Sequence, residues 1–204
     1  MATQQNHLSR VWFLNQGCKQ VPLEYTRGIV RWAHPDGYFL NAKGQKVSHN
    51  FCASLLKFVK DPNSKTGKQY PFLREANSKK CHILMALAFY GDRPTYIGKN
   101  GKEYVGICHH LIPDALDYKP ANLLCGLTRE QHYEADRRQR ALKKVVPDGD
   151  LHLFSYERLR ELQDPRVLTR EQFETELTTI AQKGFHRADV EDQINYELTH
   201  HMEY

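Results

Sequence analysis

A chain of 204 residues, of which 40% are hydrophobic and 26% charged, has the composition of a globular protein with one or two small domains. No apolar run approaches the roughly 20 residues that a membrane-spanning helix needs, and the N-terminal residues lack the features of a signal peptide. Five cysteines without a C-x-x-C pair argue against a zinc ribbon and a disulfide framework. We therefore expect a cytoplasmic protein whose cysteines are thiols scattered in its core.

The net charge of +5 hides an asymmetry along the chain. Residues 145–204 contain 13 acidic and 6 basic residues, a net charge of −7, whereas residues 1–144 contain 11 and 23, a net charge of +12. An excess of lysine and arginine favours a polyanionic partner such as nucleic acid. An ordinary solvated basic face is the alternative interpretation.

In the first third of the chain, short apolar runs alternate with turns that contain glycine and proline, which predicts short antiparallel strands. A later run, Lys79–Phe89, is apolar on nearly all sides and predicts a buried helix. The other predicted elements are strands over Val11–Leu14, Tyr25–Trp32 and Tyr38–Leu40, a hairpin around Ala42–Gly44, a helix over Ser48–Val59, an exposed loop over Asp61–Lys68 and a strand over Gln69–Leu73.

The middle of the chain predicts a hairpin, a strand, a loop, a second strand and a helix. Asn100–Gly101 is a strong hairpin signal, and the β-like run Tyr104–Cys108 follows it. A loop with two prolines leads to a second apolar run, Leu123–Leu127. Thr128 then opens a helix of the capping-box type, because Gln131 lies three residues further on and can bond back to it.

The polar residues of these elements suggest a metal site. His132 and Asp136 share one face of the predicted helix because they are four residues apart. The two strands can bring His109 close to them, and two imidazoles with one carboxylate can hold a divalent cation. His110 points to the other side of an extended strand, where it can accept a proton from water. Hydrolysis of a phosphodiester requires these parts, a metal ion and a base that titrates near neutral pH.

Residues Glu103–Arg140 resemble the HNH, or ββα-metal, nuclease motif over about 38 residues. The resemblance rests on the pair His109–His110, the segment Pro120–Leu123 and His132, which follow one another in the order typical of the family. It implies that His109 and His132 bind metal, that His110 is the general base and that Asn122 braces the loop. The His-His start and the additional ligand Asp136 are similar to the colicin-type branch.

The context of the motif resembles the phage and intron homing branch of the family. The run His82–Phe89 is similar to the apolar helix that precedes the nuclease motif there, so a weaker resemblance extends from about Tyr70 to Arg140. His82 itself is predicted to be a packed, hydrogen-bonded structural histidine. The resemblance implies a bacterial or phage endonuclease that acts on DNA with one divalent ion, Mg²⁺ from the reaction class, or Mn²⁺, Ni²⁺ or Zn²⁺ from the imidazole ligands.

The predicted nuclease helix ends in a cluster of basic residues that we expect to contact the DNA backbone. Cations are also favourable at any helix C-terminus, which is the alternative explanation. The cluster consists of Arg137, Arg138, Arg140, Lys143 and Lys144.

The sequence predicts an α+β fold with small antiparallel strands and helices around the ββα-metal motif, followed by an α-helical C-terminal segment. Pro147–Gly149 breaks the nuclease helix and marks the last boundary. The acidic segment after it shows no catalytic pattern and is expected to pack on the core, to form a homodimer or to damp non-specific DNA binding. Its predicted helices are Ser155–Gln163, Thr169–Gly184 and Arg187–Tyr204. The predicted regions are a DNA-contacting α+β region over 1–92, the nuclease core over 93–144 and the helical region over 145–204.

Two other classes of protein compete with the nuclease hypothesis. The first is an inactive DNA-binding protein on an HNH-like fold, supported by Ile112–Pro113, which stands where homing relatives have Asp-Gly. The second is a structural zinc module in which His109 and His132 are joined by Cys108 or Cys125. The opposite orientation of Cys108 and His109 on a strand argues against the zinc module.

Overall fold

The computed structural model describes residues 8–47, 56–60, 69–73, 76, 79–91 and 93–183, of which 56–60 and 69 are described by their backbone alone. These ranges form the predicted mixed α+β structure of small antiparallel sheets and helices. The chain divides into two compact units, residues 1–126 and 127–204. The three functional regions predicted from the sequence stay a prediction. No helix in the described ranges combines the length and the apolar character needed to cross a membrane.

The first unit begins with helix α1 (Arg10–Asn15) and a four-stranded antiparallel sheet. The predicted hairpin around Ala42–Gly44 is confirmed, because the two strands on either side of it pair with each other. Trp32 and Leu40 lie opposite each other on neighbouring strands, and both are buried. In spatial order, the strands of this sheet are β1 (Lys19–Gln20), β2 (Trp32–His34), β3 (Tyr38–Leu40) and β4 (Lys46–Val47).

The predicted strand over Val11–Leu14 is wrong, because these residues lie in α1. The Ser9 hydroxyl accepts the backbone N–H of Trp12 at 3.2 Å and caps the helix. In this run only Phe13 is buried, and its ring stacks on Trp32 with centroids 4.6 Å apart. Four apolar residues fit a helical turn as well as a strand, so the cap and the packing of one ring decided the outcome.

Two further predictions in this unit need correction. The run Tyr25–Trp32 contributes only its last residue to a strand, because Leu23–Tyr25 is a 3₁₀ turn and β2 begins at Trp32. The helix predicted over Ser48–Val59 is wrong for its last four residues, which lie in the strand β5 (Leu56–Lys60).

Strand β5 pairs with the next strand of the chain. All five of its residues pair antiparallel with β6 (Gln69–Leu73), which is the predicted strand. Backbone pairing over five residues outweighs the weak helical period of the run, since propensity gives way to tertiary context. Residues 48–55 and the predicted loop over 61–68 lie outside the described residues.

Helix α2 (Cys81–Tyr90) is the predicted buried helix. It packs into the main core of the first unit, which explains why its sequence is apolar on nearly all sides. The fully buried side chains of this core include Val21, Ala33, Phe39, Leu73, Leu84, Met85 and Leu123. The C-terminal end of α2 is capped by Gly91, whose positive φ of 74° suits a residue without a side chain.

The hairpin predicted around Asn100–Gly101 is confirmed by the pairing of β7 (Thr95–Ile97) with β8 (Glu103–Val105). Gly106 then separates β8 from the next strand, although the sequence predicts one continuous run. A Cβ atom at Gly106 would lie 2.7 Å from the Cα of Gly126 and 2.8 Å from the carbonyl oxygen of Pro94. Only glycine allows the backbones to approach so closely.

The predicted helical character of the C-terminal segment is confirmed over its described residues, which end at Lys183. The buried side chains of the second unit include Leu142, Leu159, Leu162 and Phe173 from three helices. The helices are α3 (Arg129–Val145), α4 (Tyr156–Gln163) and α5 (Arg170–Lys183), and the break after α3 is the predicted turn at Pro147–Gly149. The predicted helix over Arg187–Tyr204 lies outside the described residues.

Candidate metal centre

Strand β9 (Ile107–His110) carries both neighbouring histidines and gives them different surroundings. His109 is only 4% exposed, whereas His110 is half-buried. This difference follows from the alternation of side chains along a strand. Strand β9 pairs with β10 (Leu123–Leu127), and these are the two strands predicted on either side of the proline-containing loop.

Asn122 closes the loop that joins β9 to β10. Its side chain is fully buried and bonds to the loop at both ends: Oδ1 accepts the N–H of Ile112 at 2.7 Å, and Nδ2 donates to the carbonyl of Ile112 at 3.2 Å and of Asp117 at 2.7 Å. The carbonyl of Asn122 also accepts the N–H of Leu111 at 2.9 Å. One amide side chain therefore fixes the chain immediately after His110, which is the geometry expected of a brace.

Helix α3 begins with the predicted capping box. The Thr128 hydroxyl accepts the N–H of Gln131 at 3.2 Å, and the Gln131 side chain accepts the N–H of Thr128 at 2.9 Å. This start fixes the helical phase of His132 and Asp136 on the first turns of α3. Nδ1 of His132 lies 3.9 Å from a carboxylate oxygen of Asp136, as expected for residues four positions apart.

In the part of the chain that the structure describes, one group of side chains has the spacing of a metal site. It consists of His109, His132 and Asp136, and their potential ligand atoms lie within 4.8 Å of one another. Ligands bound to one ion at ~2.1 Å lie about 3.4 Å apart in a tetrahedral site. The three ligand atoms are therefore close enough to one another to be candidate ligands of one ion.

The chemistry of this group fits a divalent transition metal or Mg²⁺. Two imidazole nitrogens and a carboxylate oxygen suit Zn²⁺, Ni²⁺ or Mn²⁺, and three protein ligands leave open positions as catalytic sites do. Neither Cys108 nor Cys125 belongs to the group. The structural zinc module considered above therefore lacks the sulfur ligand that it needs among the described residues.

His110 packs against two other aromatic side chains. The ring of His82 lies edge-on to it with centroids 4.8 Å apart, and the ring of Tyr70 lies at 6.2 Å. Nε2 of His110 is shielded from solvent in this cluster. The sequence offers no signal for the contact with His82, because the two histidines lie 28 positions apart and no spacing rule connects them.

His82 is packed as predicted, although its Nδ1 atom is buried and has no hydrogen-bond partner among the described residues. The pKa of His82 is lowered to about 2, chiefly by burial of the ring and to a smaller extent by the neighbouring His110, Lys80 and Arg93. The ring is therefore uncharged at neutral pH. His82 also lies outside the group of potential metal ligands.

The basic residues predicted to contact DNA differ in exposure: Arg138 is buried, Arg137 is half-buried, and Arg140 and Lys143 are exposed. Arg138 is 1% exposed, and its guanidinium donates to Glu134 and to the backbone carbonyls of Leu162, Asp164 and Leu168 inside the second unit. We therefore leave Arg138 out of the proposed DNA-contacting surface, because its donors join α3 to the end of α4 and to the segment that follows it. The sequence places it in a basic run and gives no indication that it is buried.

The other basic residues of the cluster are more accessible. Arg137 makes two hydrogen bonds of 2.8 Å to Glu134. These bonds and the nearby Arg138 hold the pKa of Glu134 down at about 2. Arg140 and Lys143 lie further along the helix and are exposed. A phosphate backbone can therefore reach Arg140 and Lys143 more readily than it can reach Arg137.

No family model, curated protein or solved structure matches the chain. The resemblance of residues 103–140 to the HNH motif therefore rests on the motif residues themselves.

Proposed function

We propose that this chain is a metal-dependent endonuclease of the HNH, or ββα-metal, type that hydrolyses phosphodiester bonds in DNA. The observation that carries the proposal is the grouping of His109, His132 and Asp136, whose ligand atoms lie within 4.8 Å of one another. His110 is next in the strand, and in the resembling family this position is the general base. The geometry and the motif therefore point to the same residues.

His109, His132 and Asp136 would hold one divalent cation. When bound, the cation supplies positive charge that stabilises the phosphate and the leaving 3′-oxygen. Mg²⁺ is the ion expected from the reaction class, whereas the two imidazole ligands favour Mn²⁺, Ni²⁺ or Zn²⁺.

His110 takes a proton from the water that attacks the phosphorus. Because Nε2 is shielded from solvent, Nδ1 is the nitrogen that accepts this proton. Two neighbours keep the ring in place: His82 packs edge-on against it, and Asn122 fixes the backbone that follows it. A base held in one position favours catalysis because less orientational freedom has to be lost in the reaction.

DNA is the substrate favoured by the charge distribution. The net charge of +12 over residues 1–144 accompanies the candidate site, and phosphate neutralisation dominates non-specific binding to DNA. Arg140 and Lys143 are exposed and provide backbone contacts, which position a duplex without reading its sequence.

Nicking of supercoiled plasmid in the presence of Mg²⁺, Mn²⁺, Ni²⁺ or Zn²⁺ tests the proposal. We expect His110→Ala to lower the nicking rate about 10²- to 10⁴-fold, the usual contribution of a general base, while binding of metal and DNA is retained. The matched control is His152→Ala, which removes an exposed histidine in the second unit and should leave the rate unchanged. Unaltered nicking by His110→Ala would remove His110 from the mechanism.

A DNA-binding protein without catalytic activity is the second candidate function. The segment Ile112–Pro113 favours it, because it stands in the loop after His110 where homing relatives have Asp-Gly. The same plasmid assay separates the candidates. Retardation of plasmid without nicking, unchanged by EDTA in every metal tested, would favour the binding protein over the nuclease.

A further inference from the structure

Two cysteines face each other across the β9–β10 strand pair. Cys108 lies on β9 and Cys125 on β10, and their sulfur atoms are 2.9 Å apart. A disulfide bond is ~2.05 Å long, so a sulfur displacement of about 0.9 Å would close the gap. Both cysteines are thiols in the structure.

The surroundings of the pair differ from those of the other described cysteines. Cys125 is half-buried and Cys108 is 9% exposed, whereas Cys18 and Cys81 are fully buried. A small oxidant can therefore reach the pair from the side of Cys125.

We propose that Cys108 and Cys125 are a redox modification site, a cross-strand dithiol that a low-molecular-weight disulfide converts into an intrachain disulfide. The inference does not depend on the proposed nuclease function, because it rests on the position of two sulfur atoms. It also corrects the expectation that all the cysteines are scattered core thiols, since these two are in contact.

The reaction proceeds by two thiol–disulfide exchanges. Cys125 loses its proton and attacks one sulfur of the small disulfide, which breaks the S–S bond of that molecule and releases one thiol. Cys108 then loses its proton and attacks the Cys125 sulfur, which breaks the mixed disulfide and releases the second thiol. Two protein thiols are oxidised to one disulfide, and the small disulfide takes up the two electrons and two protons.

The sequence makes the product easy to detect. Trypsin cuts after Lys102 and Arg129 but not after Lys119, because Pro120 follows it, so both cysteines fall in the single peptide Glu103–Arg129. Cys18, Cys52 and Cys81 fall in separate peptides. The full-length folded protein is incubated with oxidised glutathione, quenched with iodoacetamide, denatured in the same reagent, digested and analysed by mass spectrometry.

We expect Glu103–Arg129 to lose two hydrogens and to carry no alkyl group, while the peptides of Cys18 and Cys81 are fully alkylated. Prior treatment with dithiothreitol should restore both alkylations. Cys108→Ser should stop the reaction at the mixed disulfide and leave glutathione on Cys125. Cys52→Ser is the matched control and should form the intrapeptide disulfide as the unaltered chain does.

Three results would overturn the proposal. Alkylation of both Cys108 and Cys125 after exposure to the oxidant would show that the folded pair does not react. A glutathione adduct that persists on Cys125 while Cys108 is alkylated would show that the second exchange does not occur. A cross-link from Cys125 to Cys52 or to another copy of the chain would assign the reactivity to a different partner.

Discussion

Neighbouring residues on one strand have separate tasks in the proposed site. His109 is buried and belongs to the group with His132 and Asp136, whereas His110 packs against His82 on the other side of β9. The alternation of a strand separates the two imidazoles without any further device. Two predictions at the scale of single residues follow from this division.

The first concerns the metal ligand on α3. His132→Ala should weaken binding of Mn²⁺ or Zn²⁺ at least tenfold, since the loss of even an outer-shell partner of a metal ligand costs 10- to 100-fold. Isothermal titration calorimetry measures the affinity. The matched control is Glu130→Gln, which changes an exposed carboxylate on the same helix and should leave the affinity unaltered. An unchanged dissociation constant for His132→Ala would place the third ligand elsewhere.

The second concerns the pH dependence of stability. His82 has a pKa of about 2 in the folded chain and an ordinary value near 6.5 in the unfolded chain, so between these values the unfolded state binds the proton. The stabilisation that the uncharged His82 ring contributes to the folded state is complete above pH 6.5 and is lost as the pH falls below that value. From pH 7 to pH 5 the contribution of His82 to the free energy of unfolding should fall by about 2 kcal/mol.

Urea denaturation at both pH values tests this expectation for His82. His82→Phe should remove most of this pH dependence, and His82→Gln serves if the larger ring does not fit. His152→Gln, at an exposed histidine, should retain the dependence of the unaltered chain. The same fall in stability for His82→Phe as for the unaltered chain would assign the effect to other groups.

At the scale of elements, side-chain hydrogen bonds to the backbone set where the loop and the helices begin and end. Asn122 closes the loop between β9 and β10, and Thr128 with Gln131 fixes the start of α3. The same capping box recurs at α5, where Thr169 and Gln172 exchange bonds of 3.2 and 2.8 Å. The repeated Thr-Arg-Glu-Gln sequence is therefore explained by capping alone.

The loop brace gives a prediction at this scale. Asn122→Ala should lower the free energy of unfolding by about 2 to 4 kcal/mol, because it leaves the N–H of Ile112 and the carbonyl of Asp117 buried without their partner. Nicking should fall with it, since the loop follows His110. The midpoint of urea denaturation and the nicking rate, measured below the transition, report the two effects.

Asn100→Ala is a matched control for the brace, because it removes an exposed asparagine from a hairpin turn of the same unit. It should cost less stability than Asn122→Ala and leave the nicking rate unchanged. Full activity in a folded Asn122→Ala variant would exclude Asn122 from the site, and full stability would contradict the hydrogen-bond account.

At the scale of the whole molecule, charge is distributed unevenly and part of it is used internally. The acidic residues concentrate in 145–204 and the basic ones in 1–144, with net charges of −7 and +12. Arg138 belongs to the basic part by sequence, yet it is buried and bonded to backbone carbonyls of the second unit. Net charge therefore overstates the charge available to a nucleic acid.

This distribution predicts the salt dependence of DNA binding. Each phosphate contact makes the slope of log K against log salt concentration more negative by about 0.9. Arg140→Gln and Lys143→Gln should each make the slope shallower by about that amount, measured by fluorescence anisotropy with a labelled duplex. Arg170→Gln removes an exposed arginine from the acidic region and should not change the slope. If all three variants kept the slope of the unaltered chain, Arg140 and Lys143 would not be phosphate contacts.

Local sequence rules determined the elements whose causes lie within a few residues. The hairpin at Asn100–Gly101, the buried helix α2 and the capping box of α3 depend on turn chemistry, apolar composition and a three-residue spacing. The same rules place His132 and Asp136 on one helix face. The α+β class and the candidate ligands were therefore accessible from the sequence.

Only the tertiary structure decided features that depend on a partner in another element. Residues Leu56–Lys60 are a strand because β6 pairs with them, and α1 is a helix that buries Phe13 against Trp32. The hydrogen bonds of the buried Arg138 and the contact between Cys108 and Cys125 likewise join residues of different segments. Periodicity and spacing describe one segment at a time, whereas burial and pairing depend on the segment that packs against it.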